Sequence, residues 1–410
     1  MKSEAYIAFK TAAFRRFLGM RLLYTLAIQI MSVSVGYLMY ELTDSKLMLG
    51  YIGLAEAVPA IGMSLIAGHI ADKYNRRYIL LAGLALLLMC SLALLGLTLK
   101  QQALPKDILI AGIFGVIFCT GVARSFIGPV NFALLPQLIK PEYLGNAIAW
   151  NSSTWHVASV TGLGVGGLLY GFAGVQWTFA VMSLLLVFSF TLALGIWPRN
   201  STVVAGHEPA WVRIREGLQF VFGNQLILAA IALDLFAVLF GGVSAILPVF
   251  AKDILLVGPE GVGFLRAAMA LGAILTSIII AHRPLRHRAG RVMMICVGLF
   301  GLCNIAFGLS TWFGLSLLLI FLSGVVDEVS VFLRASLVQR QTPDHMKGRV
   351  SSVNSIFITS SNEIGAFESG LAASLLGTVP SVLFGGGMTL LVVAITWWKS
   401  PALRNYHIEE

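Results

Sequence analysis

The feature that most constrains this chain is a series of apolar segments, each long enough to cross a bilayer, separated by short polar connections. A membrane-spanning helix needs ~20 consecutive apolar residues, because backbone polar groups in the bilayer core must bond within their own helix. Hydrophobic residues make up 58% of the chain and charged residues only 11%. Because a soluble surface cannot be built from so few charges, the sequence predicts a polytopic membrane protein.

Twelve apolar segments are predicted as membrane helices, which gives an all-α fold. The first six are Phe17–Tyr40, Met48–Ala71, Tyr78–Leu99, Asp107–Gly128 with a kink at Pro129, Leu144–Tyr170 and Gln176–Trp197. The second six are Gln225–Phe250, Gly261–Ala281, Val292–Thr311, Leu315–Leu337, Val350–Leu376 and Ser381–Lys399. The predicted organisation is an N-terminal six-helix bundle over residues 1–197, a cytoplasmic linker over 198–224 with an amphipathic helix at Pro209–Phe222, and a C-terminal bundle over 225–410.

The distribution of cations orients these segments. Of 28 Lys and Arg residues, only Lys46, Lys100, Lys106 and Lys252 fall in connections assigned to the outside. Short loops rich in Lys and Arg stay in the cytoplasm, so both termini are predicted there. The net charge of +9 is therefore a topological signal and does not indicate a nucleic-acid partner. We expect a monomer surrounded by lipid in a bacterial inner membrane.

Two internal matches indicate that the second six segments repeat the first six. Gly53-Leu54-Ala55-Glu56-Ala57 aligns with Gly263-Phe264-Leu265-Arg266-Ala267. A sharper match aligns Ala133-x-Leu135-x-Gln137-x3-Pro141-Glu142 with Ala335-x-Leu337-x-Gln339-x3-Pro343-Asp344. The Gln-x3-Pro-acid pattern is polar, so chance similarity between apolar helices does not explain it. The sequence predicts two pseudo-symmetric bundles.

The polar turn between the second and third segments reads Gly68-His69-Ile70-Ala71-Asp72-Lys73-Tyr74-Asn75-Arg76-Arg77. This spacing resembles the loop 2-3 signature of the major facilitator superfamily, with Asn75 in place of the usual Gly. The resemblance implies a secondary transporter that works by alternating access. It also implies a conformational latch formed by Gly68, Asp72, Lys73, Arg76 and Arg77, with Asp72 close to Arg349–Ser352 at the start of the eleventh helix.

The fifth segment contains Gly162-Leu163-Gly164-Val165-Gly166-Gly167, which is similar to an antiporter signature of that superfamily except that Leu163 stands where Pro is expected. Small residues four apart also allow helices to approach closely. The wider pattern, including Leu42-Thr43-Asp44-Ser45, resembles the branch of enterobactin and multidrug exporters. No ATP-binding loop, hydrolase motif or metal-ligand spacing is present, so no cofactor, no metal and no enzymatic activity are expected.

Polar and ionisable side chains inside spans are costly in lipid and are therefore candidate functional residues. A carboxylate in a low dielectric can exchange protons near neutral pH, and a nearby arginine opposes that. The predicted substrate and proton pathway comprises Gln29, Glu56, Arg124, Asn151, His156, Asp234, Arg266, Asp327, Glu328 and Glu363. The resemblance places Gln29, Arg124, Asp234 and one of the adjacent Asp327 and Glu328 on the central path.

These residues also have structural interpretations. Glu56 and Arg266 occupy matching repeat positions and could pair with one another across the two halves. Arg124 resembles the proton-coupling arginine of drug antiporters, but could instead pair with an acid for stability. His156 could be a hydrogen-bonded core residue. Because neighbours on a helix lie about 100° apart, only one of Asp327 and Glu328 can point directly into a cavity.

The sequence thus favours proton-coupled export of a siderophore, drug or other amphipathic small molecule. One alternative is a lysophospholipid flippase, or a metal exporter of the ferroportin kind, with the same fold. Another is a membrane sensor or assembly protein that does not transport. Intramembrane charges favour a transporter over this last class, because they are costly to keep without use.

Overall fold

The structure, a computed structural model, describes residues 6–63, 66–67, 70, 74–197, 210–282, 288–343 and 346–407. Within these residues all regular secondary structure is helical. Long helices lie at all twelve predicted positions, which confirms the predicted all-α membrane fold. Ten of them are long and apolar enough to span a membrane.

The first six membrane helices are α1 Ala12–Thr43, α2 Lys46–Gly62, α3 Arg76–Leu99, α4 Lys106–Leu138, α5 Leu144–Ala173 and α6 Val175–Leu194. A separate linker helix spans Ala210–Gly223. The second six are α7 Gln225–Gly241, α8 Gly258–His282, α9 Ala289–Leu309, α10 Phe313–Gln341, α11 Lys347–Leu376 and α12 Thr378–Lys399. Asn75 caps α3, because its side chain accepts a hydrogen bond from the backbone N–H of Arg77.

The predicted end of the fourth span at Gly128 is wrong. Helix α4 continues through Pro129 and Pro136 to Leu138. Each proline removes one backbone donor, a cost that a membrane helix can absorb through neighbouring groups. The fourth helix therefore reaches directly to the Gln137-x3-Pro141 repeat motif.

The predicted seventh span, Gln225–Phe250, lies within a stretch long and apolar enough to cross a membrane, Gln225–Ile254, but its first helix, α7, ends at Gly241. A 3-10 turn follows at Val243–Ile246, and a short π-helix at Phe250–Ile254. The Gly241-Gly242 pair favours this interruption, since glycine is a poor helix former in a helix interior. Backbone carbonyl groups at the break are released from the regular helical pattern.

The chain divides into two compact units. The first comprises Met1–Leu42 and Ala55–Ala210, and the second Thr43–Leu54 and Trp211–Glu410. In the first unit, α3 packs against α4 and α6; in the second, α10 packs against α8 and α9. The start of α2 belongs to the second unit, where Gly50 and Gly370 bring α2 and α11 into backbone contact.

The linker helix does not simply lie on a membrane surface. Its Gly217 is in contact distance of the backbone of Arg349 in α11, and Glu216 forms an ion pair with Arg349. Val221 is fully buried in the apolar core of the second unit. One face of this amphipathic helix is thus covered by protein.

Candidate functional site

The first unit contains an ion pair between two membrane helices. Glu56 of α2 and Arg124 of α4 are in direct contact. Gly121, one turn before Arg124, makes this contact possible: a Cβ there would lie 2.6 Å from the carbonyl oxygen of Glu56 and 2.7 Å from Cγ of Pro59. The arginine side chain is 34% exposed and the glutamate side chain 12% exposed. The pair is therefore reachable by solvent from its arginine side.

The pairing of Glu56 with Arg266 across the two halves stays a prediction, and each residue has another partner within its own unit. Glu56 pairs with Arg124, and Arg266 of α8 donates from Nη2 to the carbonyl oxygen of Ser244 at 2.6 Å. The two residues occupy matching repeat positions but carry opposite charges, so each has found a partner in its own unit.

Gln29 and Asn151 lie on α1 and α5, two helices of the first unit that approach closely. A Cβ at Gly162 would lie 2.7 Å from Cβ of Gln29, and one at Gly166 would lie 2.9 Å from Cα of Ile30. The glycines of α5 therefore serve helix packing here. Asn151 is half-buried, and its amide oxygen is buried with no hydrogen bond.

His156 is not a core histidine. Its side chain is exposed on α5, and its ring meets that of the neighbouring Trp155 edge-on, with centroids 5.0 Å apart. The sequence suggested a buried position because the surrounding segment is apolar. In a membrane protein, however, apolar residues also cover the outer surface.

The second unit contains a second ion pair, which is more deeply buried. Nη1 of Arg334 in α10 lies 2.5 Å from Oδ2 of Asp234 in α7, and the two side chains are only 6% and 9% exposed. Sequence reasoning named Asp234 but missed Arg334. The available signal was a cation inside the predicted tenth span, as in the case of Arg124.

Asp327 and Glu328, adjacent in α10, have separate surroundings. Glu328 accepts a hydrogen bond from the hydroxyl of Ser277 in α8, at 2.5 Å. Asp327 lines a cavity of about 130 Å³ beside the break in α7. Other polar lining residues are Ser244, Asn304, Ser323 and Asn362. Glu363 follows on α11 and is half-buried.

The predicted latch is only partly described. Gly68, Asp72 and Lys73 lie outside the described residues, so the expected proximity of Asp72 to Arg349–Ser352 stays a prediction. Arg76 donates to the carbonyl oxygen of Ala133 in α4, at 3.1 Å. Arg77 donates to that of Leu194, the last residue of α6, at 2.8 Å, and its guanidinium lies 3.6 Å from the ring centroid of Trp197.

These two arginines join the beginning of α3 to α4 and to the end of α6. A cation next to the last carbonyl groups of a helix is favourable, because the helix dipole is negative there. Arg16 makes an equivalent contact with the carbonyl oxygen of Gly195. The basic side chains thus hold helix ends of the first unit together.

No group of three or more His, Cys, Asp or Glu side chains that could hold a metal ion occurs in the described part of the chain. The four cysteines carry free thiols; Cys90 and Cys296 are buried, and the side chain of Cys119 is exposed.

Comparison with known proteins identifies the family. The profile described as Major Facilitator Superfamily matches residues 17–366. Enterobactin exporter EntS of Shigella boydii serotype 4 (strain Sb227) is 26% identical over 398 residues, which cover 93% of this chain and 90% of that protein. Enterobactin exporter EntS of Escherichia coli (strain K12) is 25% identical over 409 residues, covering 96% and 93%.

Solved structures support the same fold. A D-xylose-proton symporter superposes with a TM-score of 0.73 at 13% identity, over 97% of this chain and 98% of that chain. A bacterial homologue of the iron transporter ferroportin, in an inward-facing state, superposes with a TM-score of 0.72 at 17% identity, over 96% and 99%. At these identities the likeness concerns the fold alone.

These findings describe a multi-span membrane transporter for a small-molecule substrate, and its bacterial exporter relatives support an inner-membrane location. Because the family profile covers residues 17–366 of a 410-residue chain, the protein belongs to the Major Facilitator Superfamily.

Proposed function

We propose that this transporter exports a siderophore, drug or comparable amphipathic small molecule from the cytoplasm in exchange for protons. The observation that carries the proposal is the likeness to enterobactin exporters over 93–96% of the chain, which leaves no large part of the fold unmatched. Enterobactin itself is the first substrate to test. Enterobactin appears in the names of relatives that are 25–26% identical to this chain.

The Glu56–Arg124 pair is the proposed site of proton coupling. A carboxylate paired with a guanidinium holds the helices α2 and α4 together, and protonation of the carboxylate removes that attraction. Water reaches the pair from the side of Arg124, which is 34% exposed. Proton uptake by Glu56 would therefore loosen a helix contact, and this couples ion binding to a change in conformation.

The remaining pathway residues are assigned by the same reasoning. Asp234, Arg266, Asp327, Glu328 and Glu363 lie on membrane helices of the second unit, and Gln29, Asn151 and His156 lie on those of the first. We assign them to the route of substrate and protons. Residues 1–197 and 225–410 are proposed to act as the two alternating bundles, joined by the linker at 198–224.

The proposed setting is a monomer in the bacterial inner membrane, with both termini in the cytoplasm. Three arginines at helix ends of the first unit, Arg16, Arg76 and Arg77, support a cytoplasmic position for this face, because cations resist translocation.

The direct experiment measures transport in everted membrane vesicles with an imposed pH gradient. We expect gradient-dependent accumulation of enterobactin, abolished by a protonophore and by Glu56→Gln. The matched control is Glu142→Gln, which changes an exposed acid outside the membrane helices. Accumulation of enterobactin to the same level with and without the pH gradient would contradict proton coupling. Accumulation of another amphipathic compound, but not enterobactin, would redefine the substrate.

The same assay separates the alternative functions. Competition by a lysophospholipid would indicate a flippase, and competition by a divalent metal ion would indicate a metal exporter. If vesicles that contain the protein accumulate neither enterobactin nor any of these competing compounds, a sensor or assembly role gains support.

The latch is tested by Asp72→Asn, for which we expect reduced transport with normal membrane insertion. Arg76 and Arg77 of the same motif bond carbonyl oxygens of Ala133 in α4 and Leu194 at the end of α6. Full transport by the variant would remove Asp72 from the mechanism.

A further inference from the structure

The cavity beside the break in α7 has the chemical character of a cation site. Its volume is about 130 Å³, which is enough for roughly four water molecules and far too small for a siderophore. The cavity lies within the second unit, between α7, α9, α10 and α11. It therefore has room for an ion or a few water molecules.

Three of the polar side chains around the cavity use a donor on a backbone carbonyl group. The amide nitrogen of Asn304 donates to the carbonyl oxygen of Gly241 at 2.8 Å, and that of Asn362 donates to the carbonyl oxygen of Ile358 at 2.9 Å. The hydroxyl of Ser323 donates to the carbonyl oxygen of Ile320 at 2.7 Å. Both amide oxygens and the hydroxyl lone pairs remain as acceptors.

The end of α7 adds to this negative character. The helix stops at Gly241, so its last carbonyl groups lack partners within the helix. The carbonyl oxygens of Gly241 and Gly242 each accept one hydrogen bond, from Asn304 and Ser369, and each keeps a second lone pair. The C-terminal end of a helix carries a partial negative charge, and interrupted membrane helices use such ends to coordinate cations. Gly241, Gly242 and Val243 all line the cavity.

The charge of Asp327 is not balanced by a direct contact. Within the described residues its carboxylate forms no hydrogen bond or ion pair, whereas Asp234 is paired with Arg334 and Glu328 accepts a bond from Ser277. Asp234, Arg334 and Glu328 act electrostatically on Asp327. The guanidinium of Arg266 bonds the carbonyl oxygen of Ser244, which also lines the cavity. When all these groups are ionised, the acids outnumber the arginines, and the net negative charge favours a bound cation.

We infer that this cavity binds Na⁺, held by the Asp327 carboxylate and the neutral oxygens of Asn304, Ser323 and Asn362, together with a carbonyl group at the end of α7. A single carboxylate among the described lining residues matches a monovalent ion, since the charge count of a site tunes which cation it holds. A proton alone would need the carboxylate but not the ring of neutral acceptors. The site is independent of the identity of the exported substrate.

The test uses the full-length purified protein and radiolabelled Na⁺ in equilibrium binding, with N-methylglucamine as the replacement cation. We expect saturable binding that Li⁺ competes for more strongly than Cs⁺, because the smaller ion brings its charge closer to the carboxylate. Asp327→Asn should weaken binding by more than about tenfold, and Ser323→Ala and Asn362→Ala should each weaken it measurably. Glu142→Gln is the control, because it removes an exposed acid that lies outside the membrane helices and does not line the cavity.

Folding of each variant is checked by a monodisperse gel-filtration profile and by thermal unfolding. Saturable Na⁺ binding that survives in folded Asp327→Asn would overturn the inference, and so would the lack of saturable binding to the wild type. If Asp327→Asn loses pH-driven export while the wild type binds no Na⁺, Asp327 is a proton site and the sodium assignment is wrong. Loss of saturable Na⁺ binding in folded Asp327→Asn, with binding retained in Glu142→Gln, would support the site.

Discussion

The second and fourth helices of each half meet closely, but the two halves distribute charge differently along them. In the first unit, Glu56 of α2 pairs directly with Arg124 of α4. In the second unit the signs are reversed, with Arg266 on α8 and Asp327 on α10. Arg266 bonds the carbonyl oxygen of Ser244, and Asp327 faces the cavity. The helices of the two halves thus cross at matching positions, but the charges at the two crossings differ.

The two helix crossings are therefore suited to different functions. An ion pair such as Glu56–Arg124 holds two helices together, and protonation of the carboxylate removes that attraction. Such a pair is suited to coupling proton binding to helix movement. An acid such as Asp327, which has no direct partner in the part of the chain that the structure describes, is suited to binding an external cation. A third arrangement, the buried Asp234–Arg334 pair, stabilises the second unit. The predictions below test this division, beginning with the largest effect.

Breaking the buried pair should cost the most stability. Arg334→Gln leaves the carboxylate of Asp234 uncompensated in a site where both side chains are almost inaccessible, at a cost of about 3–5 kcal/mol. The double variant Asp234→Asn with Arg334→Gln removes both charges and should recover most of this loss. Thermal unfolding in detergent measures both. An Arg334→Gln protein as stable as the wild type would show that the pair is not structural.

Adding a methyl group at the helix crossings should have the next largest effect. A Cβ at Gly121 meets the backbone of Glu56, and one at Gly324 meets the backbone of Met269, so each alanine must push its two helices apart at about 1–3 kcal/mol. Gly115→Ala is the control, since a Cβ there has no atom within 4 Å. Only Gly121→Ala should also reduce pH-driven export, because it separates Glu56 from Arg124. Equal export by all three variants would contradict the coupling assignment.

Neutralising single acids should then distinguish the Glu56–Arg124 pair from the cation site. Glu56→Gln should cost about 1 kcal/mol or less, because Arg124 is one-third exposed and water solvates its charge. Asp327→Asn should leave stability unchanged or slightly raised, since the carboxylate has no direct partner among the described residues to lose. Unfolding at matched Na⁺-free conditions gives the comparison. If Asp327→Asn lowered the unfolding free energy more than Glu56→Gln does, our description of the two helix crossings would be wrong.

The exposed ion pair between Asp44 and Lys252, 2.5 Å apart, should matter least. Their side chains are 73% and 35% exposed, so Lys252→Gln should change the unfolding free energy by no more than about 0.5 kcal/mol. Unfolding at low and high salt measures the effect, which should vanish at high salt because of screening. A salt-independent loss would indicate that Lys252 has a further structural role.

The sequence was sufficient for the fold, because hydropathy and cation placement report directly on the bilayer. It also identified Glu56, Arg124, Asp234 and Asp327 as unusual, since a charge in an apolar segment stands out. The sequence did not show which charged residues form ion pairs with one another. Partners such as Glu56 with Arg124 lie far apart in the chain, and the distance is set by how α2 and α4 cross at Gly121.

Three further features escaped sequence reasoning for physical reasons. The break in α7 depends on a Gly-Gly pair that is tolerated in many membrane helices. Helix α4 passes Pro129 because its neighbours accommodate the missing donor. Arg334 was overlooked beside the cationic cytoplasmic end of the tenth span, although it lies inside the helix and is buried against Asp234.

The most direct test of proton-coupled export through Glu56 measures proton movement during transport. Proteoliposomes containing a pH-sensitive dye are given enterobactin, and the pH change is followed for the wild type, Glu56→Gln and the control Glu142→Gln. We predict a substrate-dependent proton flux in the wild type and in Glu142→Gln, and none in Glu56→Gln. An undiminished flux in Glu56→Gln, or substrate transport by the wild type with no proton flux, would contradict the account.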